Sequence, residues 1–266
     1  MASWIYDEHP KGIQLTMQRA PDGCGIRGDM CTVVKRVVVF APHPDDETLG
    51  CGGSVAEKLI EGYEVFVVFM TDGRHALEGF VGSNGPTPSE VKTIRRAEAI
   101  NATRILGVQE NNLFFLDFED KKLYESECAV RERVVGILKE LSPAAVFFPQ
   151  EREYNVDHRV TNSILRETLG TLDPRPIEYS YIIAWSFPFY PLQHIMTENM
   201  FDRVVSGFPK RTLVEVDILR TFSLKEDAIE QYRSQTTRMF SGQKRPVLKH
   251  SFLRRFLKSK ERFFIN

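Results

Sequence analysis

The chain has 266 residues, 42% hydrophobic and 27% charged, enough for one sizeable α/β domain or two small ones. Its net charge of -1 gives no electrostatic case for a nucleic-acid or acidic partner, and its apolar runs, such as 37–42 and 65–70, fall far short of a membrane helix. The N-terminus lacks the basic-then-apolar pattern of a secretory signal, and Cys24, Cys31, Cys51 and Cys128 are too scattered for a disulfide framework or a thiolate zinc site, so the composition predicts a cytoplasmic protein with reduced thiols.

Residues 1–33 are polar and rich in turn formers, and read as an N-terminal arm. From Lys35 a continuous β-branched run to Ala41 has the pattern of a strand covered on both faces. A helix near 48–62 and an apolar strand over 64–70 complete a βαβ unit. Residues 72–88 carry several breakers and read as a long loop. There follow a helix capped by Ser89 and ending near Leu106, a short strand over 112–116 before Asp117, a helix over 127–141, a strand over 144–148 and a helix starting near Asp157. This alternation predicts a mostly parallel sheet with helices on both faces. Beyond it lie an aromatic stretch over 179–190, a strand over 212–216 and a helix over 223–239, which close a domain spanning 34–240. Residues 241–266 carry eight lysines and arginines against Glu261 alone, interleaved with Phe252, Leu253, Phe256 and Leu257. They read as a basic amphipathic segment packed on the body or on a second subunit, with a membrane surface as the alternative.

Ligands of such sheets sit beyond the carboxyl ends of the strands. There, immediately after the first buried strand, stand His43, Asp45, Asp46 and Glu47, on a turn stiffened by Pro42 and Pro44. Clustered carboxylates repel unless a cation or protons offset them. Capping the next helix would need one acid and no histidine. A histidine nitrogen with a carboxylate oxygen suits zinc, and a catalytic zinc takes three protein ligands and keeps one position open. His43 and one aspartate supply two. The third should follow another strand, and His158, at the start of the helix after 144–148, is the best placed of the six histidines.

The run His43-Pro44-Asp45-Asp46-Glu47, its glycine-rich continuation Thr48-Leu49-Gly50-Cys51-Gly52-Gly53 and the later Asp157-His158 resemble the PIG-L/LmbE family. Thr71-Asp72-Gly73, Arg95-Arg96-Ala97-Glu98-Ala99, Phe115-Leu116-Asp117 and Tyr232-Arg233-Ser234-Gln235 extend the resemblance over about 35–240. It implies a Rossmann-like fold and a zinc-dependent deacetylase of N-acetylglucosamine-type sugars, with an amino-sugar substrate. It implies His43, Asp46 and His158 as zinc ligands, Asp45 as general base, and Arg95 and Asp117 on the sugar pocket. Glu47 is left to support the turn.

One position departs from the pattern. Asn155 stands where family members usually have the first histidine of His-x-x-His. Its amide can donate to a developing oxyanion but cannot carry a positive charge, and one such donor is worth about 2.7–4 kcal/mol. His250, reaching the site from a neighbouring subunit as in similar archaeal diacetylchitobiose deacetylases, is a candidate substitute that would require a homo-oligomer. A metal-dependent phosphohydrolase and a non-catalytic, metal-retaining sugar- or lipid-binding protein are the competing functions.

Overall fold

The computed structural model describes residues 34–184 and 212–265, together with the backbone of two strands, β1 (Ser3–His9) and β2 (Gly12–Gln18). Cys24, Cys31 and residues 185–190 of the aromatic stretch lie outside the described residues. The sheet continues with β3 (Arg36–Ala41), β4 (Glu64–Thr71), β5 (Leu113–Phe118), β6 (Ala145–Pro149), β7 (Ile177–Tyr181), β8 (Thr212–Asp217) and β9 (Lys260–Ile265). Their order is β1-β2-β8-β9-β7-β6-β3-β4-β5, parallel from β7 through β5.

The period of two along the central strands sends alternate side chains to opposite layers. Val37, Val39, Val65, Val67 and Phe69 pack against α1 (Asp46–Ile60), α2 (Pro88–Ile105) and α5 (Phe222–Gln231) through Leu49, Val55, Ala99, Ala102 and Ala228. Val38, Phe40, Val68 and Met70 pack against α3 (Glu127–Leu141) and α4 (Val156–Leu169) through Val130, Val134, Leu138, Ile164 and Leu165. Burial of each such side chain contributes about 1.5–3 kcal/mol, which dominates over helix propensity in holding the layers. The chain runs outward from β3 through β4 to β5 and then returns to β6 on the other side of β3. The carboxyl ends of β3 and β6 therefore flank the point where strand order reverses, the usual ligand crevice of such sheets.

Several boundaries differ from the sequence expectation. Segment 3–18 supplies two antiparallel strands, β2 pairing with β8, where an arm was expected. The cap of α2 is Thr87, in a capping box with Glu90, rather than Ser89. The helix expected over 223–239 ends at Gln231, and Arg233–Thr236 forms a separate turn, α6. The basic tail is not one amphipathic segment. It holds a single helical turn, α7 (His250–Leu253), and then β9, inserted antiparallel between β7 and β8. There Phe263 and Phe264 are buried, while Lys260 and Arg262 pair with Glu215 of β8 at 3.0 and 2.8 Å. Among the described residues no helix is long and apolar enough to cross a membrane.

Candidate metal and catalytic site

After β3 the chain turns through Pro42, His43, Pro44 and Asp45 into α1. Thr71, ending β4, fastens this turn by donating to the Pro42 carbonyl from N at 2.9 Å and from Oγ1 at 2.8 Å. Asp45 has φ of 135°, a region that costs a non-glycine residue about 1–3 kcal/mol unless its surroundings enforce it. They do: Asp45 N donates to Glu47 Oε2 at 3.1 Å, and Leu49 N donates to Asp45 O at 2.9 Å.

Three buried donor atoms converge at the strand-order switch. Asp46 Oδ2 lies 3.1 Å from His43 Nδ1 and 3.0 Å from His158 Nε2, and the two ring nitrogens are 3.2 Å apart. Tetrahedral zinc with bonds of about 2.0–2.1 Å would place its ligands about 3.3–3.4 Å from one another. The donor set and its spacing fit such an ion.

The far side of each histidine faces a carboxylate. His43 Nε2 lies 3.2 Å from Asp157 Oδ2 and 3.3 Å from Asp120 Oδ1. Asp157 also accepts from Lys121 N at 2.7 Å and Leu123 N at 3.2 Å, and Asp120 from His75 N at 3.0 Å. His43, Asp120 and Asp157 are themselves close enough to hold a cation. Because these carboxylates already accept backbone N–H groups, we assign them to orienting His43, with the proton on Nε2 and the Nδ1 lone pair free for a metal. Glu153 stands 3.6 Å from His158 Nδ1, anchored by the N–H groups of Ile183 at 2.5 Å and Ala184 at 2.7 Å.

The electrostatics follow from this arrangement. Burial alone would lower the pKa of both imidazoles. The surrounding Asp120, Asp157 and Asp46 carboxylates overcome this and raise His43 well above its ordinary value, and Asp46 with Glu153 lifts His158 to about 9. Burial would raise Asp46, but His158 and His43 hold it well below the usual carboxylate range. Asp45 is pushed up to about 7 by burial, with Arg95 opposing the rise and Asp46 adding to it. A carboxylate poised near neutrality beside three metal donors can serve as a proton acceptor.

The other sequence-predicted residues fall in different places. Arg95 is 3% exposed and lies beneath the turn rather than on a pocket wall, its guanidinium bonded to the Pro44 carbonyl and 3.0 Å from Asp45 Oδ2. Asp117, at the carboxyl end of β5, is paired with Lys92 at 2.9 Å and Arg96 at 3.4 Å on the exposed rim. Asn155 caps α4, its Oδ1 accepting from Asp157 N at 2.8 Å, which leaves its amide protons uncommitted by the cap. His250 occupies an exposed position on α7 and belongs to neither metal-competent group. Glu47 is fully buried and supports the turn, accepting from Asp45 N, Thr48 Oγ1 and the Tyr232 hydroxyl. The run Tyr232-Arg233-Ser234-Gln235 is a structural tie, with Ser234 N and Oγ donating to Glu98 of α2 at 2.7 Å each. No motif marks Asp120 or Glu153 in the sequence, and Asp157 stands out only as the neighbour of His158. That adjacency was the one signal for it.

The sequence motif and the fold both have relatives among known proteins. Residues 38–169, which include His43, Asp45, Asp46 and His158, match the family profile described as PIG-L: GlcNAc-PI de-N-acetylase. Diacetylchitobiose deacetylase of Thermococcus kodakarensis is 33% identical over 135 residues, 47% of this chain and 46% of that protein, so the match spans about half of that relative's length. Probable N-acetyl-alpha-D-glucosaminyl L-malate deacetylase 2 of Bacillus cereus is 27% identical over 209 residues, 77% of this chain and 86% of that one. The solved N,N'-diacetylchitobiose deacetylase of Pyrococcus horikoshii shares the fold, with a TM-score of 0.64 at 24% identity over 88% of this chain and 84% of that one. With the motif, the fold and the profile match meeting at the same residues, the chain belongs to the PIG-L/LmbE family.

Proposed function

We propose that this chain hydrolyses the N-acetyl group of an amino sugar or glycoconjugate, with zinc held by His43, Asp46 and His158. The observation that carries this reading is the convergence of those three donor atoms within 3.2 Å of one another, next to an Asp45 carboxyl poised near neutrality. The relatives named as N-acetyl sugar deacetylases support the substrate class. Zinc in this site would supply Lewis acidity, lowering the pKa of water from about 15.7 to about 7.

The chain's own residues do the rest. Asp45 takes a proton from the attacking water at its carboxylate and returns it to the amine nitrogen as the C–N bond breaks, giving acetate and the free amino sugar. Arg95 and Glu47 hold Asp45 in its unusual backbone conformation. Asp120 and Asp157 hold His43, and Glu153 faces His158. An Asn155 amide proton can donate to the oxygen on which charge develops, with His250 of a second copy as the other candidate donor.

An assay of acetate and phosphate release across a panel of N-acetylated sugars and phosphate esters tests the reading. Chelator-sensitive acetate release, reduced about 10²–10⁴-fold by Asp45→Asn, is the expected result. Release of phosphate without acetate would replace this reaction class with phosphoester hydrolysis. Sugar binding with neither product would leave a binding protein.

A further inference from the structure

Helix α1 is two helices in one line. At Cys51 its backbone leaves helical geometry, with φ of -150° and ψ of 19°, so residues 46–50 form a short piece ahead of the stretch that ends at Ile60. A break of this kind deprives the last carbonyls of one piece and the first N–H groups of the next of intrahelical partners. This one is buried, and two charged side chains from distant parts of the chain satisfy it. Glu261 of β9 accepts from Gly53 N at 2.9 Å and Ser54 N at 2.8 Å. Lys225 of α5 donates from Nζ to the Leu49 carbonyl at 2.9 Å and to Glu261 Oε1 at 2.6 Å.

The pair is almost wholly removed from water, with side-chain exposures of 1% for Lys225 and 3% for Glu261. The glycines on either side of the break are themselves closely packed. A Cβ on Gly53 would lie 2.4 Å from Ile218 Cδ1, and one on Gly50 would lie 2.6 Å from the ring of Tyr181. Stability alone does not account for such a pair, because apolar side chains of the same volume fill a core without the cost of desolvating two ions. What ions do here, and apolar groups cannot, is satisfy the carbonyl and the two N–H groups that the break exposes. The short piece that ends at this break begins with Asp46 and Glu47, which reach His158 and Tyr232 respectively.

We propose that Lys225 and Glu261 are positioning residues of the metal site: they hold the break in α1 open and thereby fix the short helical piece that aims Asp46 between His43 and His158. The proposal rests on the reading that Asp46 is a metal ligand. It gives a role to the one acidic residue of the basic C-terminal segment, and it makes β9 part of the support of the catalytic turn although β9 touches no reacting atom.

The test compares the full chain with Lys225→Met, Glu261→Gln and the double variant Lys225→Met/Glu261→Leu. Thermal midpoints are recorded, and zinc affinity is then measured by competition with a chromogenic chelator at a temperature where each protein is folded by circular dichroism. Each single variant leaves a buried charge without its partner and lowers the midpoint, as any structural ion pair would. The double variant leaves no unpaired charge, so its zinc affinity discriminates. The expected result is a folded double variant that binds zinc at least tenfold more weakly than the unaltered chain. Equal affinity overturns the proposal and leaves the pair with a structural role only. Should the double variant fail to fold, Lys225→Arg, which keeps the charge but displaces the donor to Leu49 O, is read the same way: weaker zinc binding supports the proposal and unchanged binding overturns it. An unaltered chain that takes up no zinc contradicts the metal reading itself, an outcome distinct from equal affinities.

Discussion

The Arg95 guanidinium and the Asp45 carboxylate stand 3.0 Å apart beneath the turn that follows β3, and the same guanidinium binds the carbonyl of Pro44. Helix α2 thus reaches across to the turn after β3 and opposes the burial that pushes the Asp45 pKa up to about 7. Gly73 allows the approach: at its φ of 64°, a side chain there would place a Cβ 3.0 Å from Arg95 Cδ.

Replacing Arg95 by Met removes the cation that lowers the Asp45 pKa, so that pKa rises further and less of the base form is present at neutral pH. An opposite charge this close is worth about 1–3 pKa units. The acidic limb of the kcat/KM profile should move to higher pH by about one unit or more, with activity falling most below pH 7. A profile superimposable on that of the unaltered chain would separate Arg95 from Asp45.

Zinc uptake should release protons. In the metal-free chain the surrounding carboxylates lift His158 to about 9 and raise His43 well above its ordinary value, which favours the protonated form of both rings. A metal takes only the unprotonated nitrogen, which displaces one proton from His43 Nδ1 and one from His158 Nε2. Affinity therefore rises as pH increases from 7 towards 9. Calorimetry in buffers of different ionisation enthalpy measures the protons directly, and a value of zero at pH 7 would contradict proton displacement from these two rings.

Asn155 caps α4 and is the proposed oxyanion donor, and two variants divide the two roles. Asn155→Asp keeps the oxygen that caps α4 but loses the amide donor, whereas Asn155→Ala loses both. Asp should leave the thermal midpoint nearly unchanged while kcat falls about 10²–10³-fold. Ala should add a stability loss of about 0.5–2 kcal/mol. If Asp retains full kcat, the oxyanion donor is another group, and the His250→Ala variant then reports on the partner copy.

Tyr232→Phe leaves Glu47 buried with one donor fewer, and should cost about 1–3 kcal/mol. In a chain of this size about 2–4 °C of midpoint is lost per kcal/mol, so a differential scan resolves the effect. An unchanged midpoint would show that Thr48 and Asp45 N satisfy Glu47 without the phenol.

The central fold was legible because its signals are local. A β-branched run, a glycine-marked helix and a second apolar run gave β3, α1 and β4, and the helix expected over 127–141 is α3 residue for residue. The candidate metal-binding residues were legible because His43, Asp46 and His158 follow strand ends. What escaped depends on distant partners. Residues 260–265 look basic and amphipathic, but form a strand whose Phe263 and Phe264 are buried, with Lys260 and Arg262 paired to Glu215 and Glu261 to Lys225. Asp120 escaped because nothing in the sequence separates it from the exposed Asp117, whereas the fold points one at His43 and the other at Lys92. Arg95 was placed on the sugar pocket from its motif, and its burial under Asp45 is a consequence of how α2 packs.

The measurement that tests the account most directly is a zinc titration of the chelator-stripped chain, following acetate release from an N-acetylglucosamine conjugate at each addition. The account predicts activity that rises in proportion to zinc, saturates at one equivalent per chain, and is absent from His158→Ala at the same loading. Acetate release that persists without metal, or that His158→Ala retains in full, would contradict it.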